Sequence, residues 1–245
     1  MTYWVVKALL TPILRFFYRV RVEGAEHVPS SGPAILASNH VSFSDSIFLP
    51  LVLRRRITFV AKAEYFEDPK TAWFFRAVGQ IPIKREGGSA SERALASARG
   101  VLAGGGLFGI YPEGTRSPDG RLYKGHTGVA RLALQCHVPV LAVAMVGTRE
   151  AQPIGQVMPN LFRTITIRIS PPLDFSRYAD RADEPMVLRQ VTDEIMFELR
   201  ELSGQEYVDR YCKRATDDAM SSGEPAHLVT AGELEPAVAP AAAGA

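Results

Sequence analysis

Residues 34–48 read AILASNHVSFSDSIF: a short apolar run, then small polar residues, then an apolar restart. A run this short, ended by Ser38 and Asn39, reads as a buried strand that gives way to a loop. The loop carries His40 and Asp45 five residues apart. His40 then emerges at the carboxyl end of a strand, where sites in α/β domains gather, and Asp45 stands where its carboxylate can cap the following segment. The spacing also lets the loop fold back and set that carboxylate against one imidazole nitrogen. Such a contact fixes the tautomer, favours the protonated ring and leaves the other nitrogen to accept a substrate proton. As a bare pattern the pair is weak, and its meaning depends on the rest of the chain.

The rest of the chain repeats the strand signal. Arg19–Glu23 alternates polar and apolar residues, and 57-ITFV-60, 81-IPI-83, 107-LFGIY-111 and 140-VLAVAMV-146 are short apolar runs. The stretch 164-TITIRI-169 alternates strictly, as a strand does when one face is less buried. Helical patterns lie between several of these. Residues 89–103 open with Ser/Glu capping chemistry and end at Gly104-Gly105-Gly106, and residues 125–136 precede Pro139 and the next strand. Val187, Leu188, Val191, Ile195, Leu199 and Leu202 mark a long amphipathic helix. Strands alternating with helices predict a single α/β domain with a mixed, largely parallel sheet flanked by helices. At 245 residues, 47% of them hydrophobic, the chain can bury one large core, and no repeat or second core is evident.

Residues 4–22, WVVKALLTPILRFFYRVRV, set Lys7, Arg15 and Arg19 on one helical face, with Trp4, Leu9, Ile13, Phe16 and other apolar residues on the rest. The stretch between Lys7 and Arg15 is far short of the about 20 residues that a spanning helix needs. A signal peptide fits poorly, because no small-residue cleavage site follows. An amphipathic helix over residues 1–19, lying at a membrane interface, is the sharper reading; a helix docked on its own domain is the plainer one. Pro12 is expected to kink or restart it. The folded domain is then residues 20–214, and 215–245 is an acidic Ala/Pro-rich tail whose composition predicts disorder.

Charge is asymmetric along the chain. All 28 basic residues lie before Ala215, whereas five of the 26 acidic ones follow it, which leaves 21 and a net charge of +7 for residues 1–214. A basic body suits a membrane surface, a phosphate ester or a nucleotide, as well as an ordinary solvated surface. Cys136 and Cys212 make neither a disulfide framework nor a metal-ligand spacing, so a reducing compartment fits and no metal site is expected. Gly104–Gly109 satisfies G-x-G-x-x-G but precedes a strand, whereas a dinucleotide fingerprint follows one. No G-x-S-x-G elbow, Walker motif or nucleic-acid-binding module is present.

Two further stretches give the His40–Asp45 pair a context. In 111-YPEGTRS-117, Arg116 stands on a glycine-containing turn after the LFGIY strand, where a guanidinium fork can grip phosphate; Glu113 can hold the turn or orient that arginine. In 79-GQIPIKRE-86, Lys84 and Arg85 leave another strand. Basic clusters and a His–Asp pair at strand ends suggest a phosphorylated substrate held beside a general base.

These blocks, in this order, resemble the glycerolipid acyltransferase family that includes the 1-acyl-sn-glycerol-3-phosphate (lysophosphatidic acid) acyltransferases. His40 through Asp45 matches its H-x4-D block, Gly79 through Arg85 the second, Glu113-Gly114-Thr115-Arg116 the third, and Val138-Pro139-Val140 the fourth. The fourth continues LAVAMVG, without the second proline often found there. The resemblance implies that an acyl group passes from acyl-CoA or acyl carrier protein, a co-substrate rather than a cofactor, to the free hydroxyl of 1-acyl-sn-glycerol-3-phosphate, forming phosphatidic acid. It implies His40 and Asp45 as catalytic residues, and Lys62 or nearby backbone amides as oxyanion donors. Lys84, Arg85 and the Glu113–Arg116 turn would bind the substrate phosphate, and Val138 and Pro139 would belong to an acyl or structural pocket. The expected partners are membrane lipids, lysophosphatidic acid and the acyl donor, with no nucleic acid, at the cytoplasmic face of the cell membrane. Transfer to another acceptor, hydrolysis of the thioester, and non-catalytic lipid binding are the alternatives.

Overall fold

The computed structural model of the chain describes residues 2–83 and 90–212. Lys84, Arg85 and the 215–245 segment lie outside the described residues. The strands are β1 (Arg19–Glu23), β2 (Ala34–Ser38), β3 (Ile57–Thr58), β4 (Val60–Lys62), β5 (Ile81–Ile83), β6 (Leu107–Ile110), β7 (Leu122–Tyr123), β8 (Val140–Val146), β9 (Thr164–Ile169) and β10 (Tyr207–Val208). The α-helices are α1 (Thr2–Phe17), α2 (Asp45–Val52), α3 (Glu64–Glu67), α4 (Pro69–Ala77), α5 (Ala90–Ala103), α6 (Gly128–Cys136), α7 (Thr148–Ala151) and α8 (Pro185–Ser203). Six strands form one sheet in the order β1-β9-β8-β2-β6-β3, parallel throughout except between β8 and β9. This is the mixed, largely parallel sheet that the sequence pattern implies. β4 pairs with β5, and β7 with β10, apart from it.

Side chains alternate along a strand, so each central strand feeds two cores. Ile35 and Ala37 of β2 and Val140 and Ala142 of β8 meet α5, α6 and α8 on one face. Ala34 and Leu36 of β2, with Leu141, Val143 and Met145 of β8, meet α2 and the inner side of α1 on the other. Coverage on both faces explains why β2 and β8 read as unbroken apolar runs. Each sealed Leu or Ile contributes about 1.5–3 kcal/mol of transfer free energy, which anchors the middle of the sheet from both sides. β9 instead buries Ile165, Ile167 and Ile169 and leaves Thr164, Thr166 and Arg168 in wetter positions. α6 begins at Gly128 rather than at 125, because Gly125 and His126 belong to a turn in which the His126 N–H bonds to the Pro112 carbonyl. Cys136, its last residue, is half-buried rather than sealed.

α1 docks on the domain and does not restart at Pro12. Arg19 is not on its face, because the helix ends at Phe17 and Arg19 opens β1. Lys7 does not join Arg15 in solvent either: its ammonium turns inward and donates to the carbonyls of Pro50 and Leu53. Those carbonyls end α2, where acceptors lack helical partners and a cation suits the dipole. Tyr3 is buried beside it and donates to the Pro50 carbonyl at 3.3 Å. The opposite side presents Trp4, Val5, Leu9, Ile13 and Phe16 to the exterior. Among the described residues no helix is long and apolar enough to cross a membrane.

The run ITFV does not form one strand. β3 ends at Thr58 in the main sheet, and β4 starts at Val60 in the two-stranded ribbon. Between them the Phe59 N–H is taken by Gln80 Oε1 at 2.6 Å, so it makes no ladder bond and the chain changes sheets there. The buried Phe59 ring packs against Gly109 of β6, where a Cβ would come within 2.2 Å of it. Gly109 is therefore set by close approach, which is the physical meaning of the last glycine in GGGLFG. Gly109→Ala should lower stability by about 1–3 kcal/mol through overpacking, and adding Phe59→Leu should return part of that loss. Urea unfolding of the single and double variants checks this; strictly additive losses would place the strain elsewhere.

Candidate active site

Where β2 leaves the sheet, the buried amide of Asn39 takes over from the backbone. Its Oδ1 accepts the Met145 N–H at 2.7 Å and its Nδ2 donates to the Met145 carbonyl at 3.1 Å. The side chain thus continues the pairing with β8 for one further step, freeing the main chain to turn outward at His40. Nδ2 also donates to Gln205 Oε1 at 2.8 Å, tying the segment after α8 to the same point.

His40 and Asp45 meet as their spacing suggests. Nδ1 lies 2.9 Å from Asp45 Oδ2, with the imidazole 16% exposed and the carboxylate fully buried. The same oxygen accepts the N–H groups of Val41 at 2.8 Å and Ser42 at 2.9 Å. Asp45 is the first residue of α2, yet it bonds these loop amides instead of capping the helix. A carboxylate holding three donors makes Nδ1 the protonated nitrogen, so Nε2 is left as the base.

The imidazole is also held from its face. The Tyr111 ring stacks on it at 3.8 Å between centroids and 12° between planes, and Phe59 stacks behind Tyr111 at 5.3 Å. The Tyr111 hydroxyl shares a 2.9 Å hydrogen bond with Ser46 Oγ, one residue after Asp45. Burial holds this phenol well above its ordinary pKa, so it stays neutral. Tyr111 was legible only as the end of a strand; its register, one residue beyond β6, points it at His40.

The Glu113–Arg116 turn packs against the same loop. Ser117 donates its N–H to the His40 carbonyl at 2.7 Å. The buried Glu113 accepts the His40 N–H on one oxygen at 3.2 Å and the Tyr123 N–H on the other at 2.9 Å. Glu113 therefore holds the turn and does not touch Arg116. Gly114 adopts φ 73°, which lets the turn close without strain. The half-buried Arg116 guanidinium makes no hydrogen bond or ion pair among the described residues.

The other candidates are more scattered. Lys62 is exposed at the end of β4. Val138 and Pro139 precede β8, and Ile35 donates to the Pro139 carbonyl at 3.0 Å. Because β2 and β8 are parallel, this is the edge of the sheet opposite His40, and Val138 packs in the α5–α6–α8 core. Near Ser46 two narrow apolar clefts open. They share Ser46, Ile47, Phe74 and Val78, and the second is also lined by Phe43, Phe59 and Phe75.

Burial raises the Glu113 carboxyl to about 7, outweighing its two N–H donors, which pull the other way. The unfolded chain loses this proton near the ordinary glutamate pKa of about 4.3. Between the two values the folded state binds more protons, so this group lowers stability as pH rises from about 4.5 to about 7, by on the order of 3 kcal/mol. Glu113→Gln removes that titration. Its stability relative to the parent, read from urea unfolding, should improve from pH 4.5 to pH 8, and a pH-independent difference would place the titration elsewhere.

The family model described as Acyltransferase matches residues 19–146. A chloroplastic 1-acyl-sn-glycerol-3-phosphate acyltransferase of Arabidopsis thaliana is 35% identical over 140 residues, 57% of this chain and 39% of that protein. The human alpha enzyme of the same name is 32% identical over 136 residues, 54% of this chain and 48% of its own. The matched stretch thus spans less than half of either relative. The crystal structure of PlsC from Thermotoga maritima, a 1-acyl-sn-glycerophosphate acyltransferase, superposes with a TM-score of 0.60 at 28% identity, covering 81% of this chain and 78% of that one. With the family model matched over about half its residues and the His40–Asp45 and Glu113–Arg116 blocks folded together, the chain belongs to the acyltransferase family.

Proposed function

We propose that this chain is a 1-acyl-sn-glycerol-3-phosphate acyltransferase that makes phosphatidic acid from an acyl thioester. The observation that carries this reading is the buried Asp45 carboxylate on His40 Nδ1, with the Arg116 turn hydrogen-bonded to the carbonyl of the same histidine. Nε2 of His40 takes the proton from the acceptor hydroxyl as its oxygen attacks the thioester carbonyl. Asp45 and the Tyr111 face keep the ring aimed, and Asp45 stabilises the imidazolium, as the carboxylate of a catalytic triad does. Collapse of the tetrahedral intermediate breaks the C–S bond, and the imidazolium returns its proton to the leaving thiolate. The products are an ester and a free thiol, with no covalent enzyme intermediate.

Lys62 or backbone amides supply the donors for the oxyanion. Arg116, with Lys84 and Arg85, holds the glycerol phosphate and so orients the hydroxyl. The clefts beside Ser46 take apolar chain. The exposed Trp4, Leu9, Ile13 and Phe16 side of α1 lies on the bilayer, which makes the protein peripheral on the cytoplasmic face of the membrane. The donor, acyl-CoA or acyl carrier protein, is a co-substrate, and the transfer as written calls for no cofactor.

Labelled acyl-CoA offered with a panel of acceptors tests the reading. Phosphatidic acid from lysophosphatidic acid supports it; free fatty acid alone would mean hydrolysis. His40→Ala should lower turnover by ~10²–10⁴ with its circular dichroism intact. Arg116→Ala should raise the apparent KM for the phosphorylated acceptor more than that for the donor, and the opposite ranking would assign Arg116 another role.

A further inference from the structure

The segment 151-AQPIGQVMPNLF-162 joins α7 to β9 and contains no charged residue, although Arg149, Glu150 and Arg163 bracket it. It presents Val157 at 86% exposure, Met158 at 76% and Phe162 at 72%, with Ile154 and Leu161 also exposed. Water disfavours that display, since apolar residues so placed gain nothing from burial. The loop is nonetheless tied at several points. Asn160 donates its N–H to the Ala151 carbonyl at 2.7 Å and its Nδ2 to the Glu150 carbonyl at 2.9 Å. Phe162 sits at φ 60°, a costly conformation for an aromatic residue.

Two of these ties give the loop a direction. Phe162 donates its N–H to the Phe17 carbonyl at 2.7 Å, and its ring lies 6.1 Å from that of Phe17, which lies 5.0 Å from that of Phe16. Phe16, 75% exposed, belongs to the outer apolar side of α1, so the two exposed surfaces are continuous. At the other end Gln152 accepts hydrogen bonds from Ser42 Oγ at 2.8 Å and Ser44 Oγ at 2.6 Å, inside the His40–Asp45 loop. Its Nε2 donates to the carbonyls of Gln156 and Val157, both at 3.3 Å.

We propose that the 153–162 loop is a second membrane-inserting element, continuous with α1, that seats the His40–Asp45 loop at the bilayer surface through Gln152. The proposal rests on the membrane reading of α1. Its occupant is a bilayer with anionic headgroups: α1 contains no acidic residue, and the exposed Arg15 and Arg163 stand at the rim of the joined patch. Apolar tips ringed by arginine suit the interface between acyl chains and phosphate. The loop then brings the catalytic histidine to the depth at which a lipid acceptor offers its hydroxyl.

Flotation with vesicles of phosphatidylcholine and phosphatidylglycerol tests this on the full chain. Val157→Glu/Met158→Glu should weaken binding about tenfold or more, since two inserted side chains are lost. Met186→Glu, at an equally exposed apolar residue on α8, should leave binding unchanged. The loop variant should also raise the apparent KM for acceptor in vesicles while leaving turnover of a short-chain, water-soluble acceptor intact. An indole introduced by Met158→Trp, in a chain carrying Trp4→Phe and Trp73→Phe, should be quenched by brominated lipid. If Leu9→Glu/Ile13→Glu abolishes binding while the loop variant binds normally and the indole is not quenched, the loop proposal is overturned and α1 alone is the anchor. If the parent does not bind vesicles, the membrane reading and this proposal both fall, while water-soluble turnover still reports on the acyltransferase reading. A parent dimer made monomeric by Val157→Glu, with no quenching, would overturn it in favour of a second copy as occupant.

Discussion

The arrangement of the site depends on one buried carboxylate oxygen. Asp45 Oδ2 accepts the imidazole N–H of His40 and the amides of Val41 and Ser42, and no other group there offers an acceptor to all three. A carboxylate removed from water is costly unless donors replace its hydration, and these three do so for Oδ2, whereas the buried Oδ1 meets no donor among the described residues. The two amides close the loop after β2, and the third bond sets the tautomer and the plane of the ring. Loop conformation and acid–base character are therefore consequences of the same contacts. Losing the carboxylate would disturb both.

The sheet delivers this loop to its neighbours. β2 lies between β6 and β8 and parallel to both, so the segments leaving β2 and β6 emerge on one edge. The β6 exit supplies Tyr111 to the face of His40 and Glu113 to its amide, and Ser117 reaches its carbonyl. Behind them the stack of Phe59 on Tyr111, over the bare backbone of Gly109, carries the packing of the core up to the imidazole. A close-packed core transmits displacement with little compliance, so the position of His40 follows from that of the sheet.

Much of this was legible in the chain itself. Unbroken apolar runs in β2 and β8 announced strands covered on both faces, and alternation in β9 announced one that is not, because period and coverage follow directly from side-chain direction. The five-residue spacing of His40 and Asp45 and the order of the blocks pointed to the site and to the family. Less legible were residues whose role depends on what lies beside them. Tyr111 read as strand, Glu113 as holding its turn or orienting Arg116, and Val138 and Pro139 as part of an acyl or structural pocket. The fold turns Tyr111 onto His40, has Glu113 hold the turn through two backbone donors, and puts Val138 and Pro139 at the end of the sheet away from His40, where Val138 packs in the core.

The N-terminal helix shows the same division. Its amphipathic character was written in the sequence, but helical periodicity orders residues only around an axis and does not say which sector faces inward. The spacing puts Lys7 on one helical face with Arg15, whereas the carbonyls at the end of α2 draw its ammonium to the interior and leave the apolar side outward. The sequence by itself thus determined the strands of the central sheet, the long helices between and after them, and the family blocks, all of which rest on local pattern. Only the tertiary structure decided which acceptors, rings and amides those blocks would meet, because hydrogen bonds and stacking between residues far apart in the chain depend on distances that no local pattern contains.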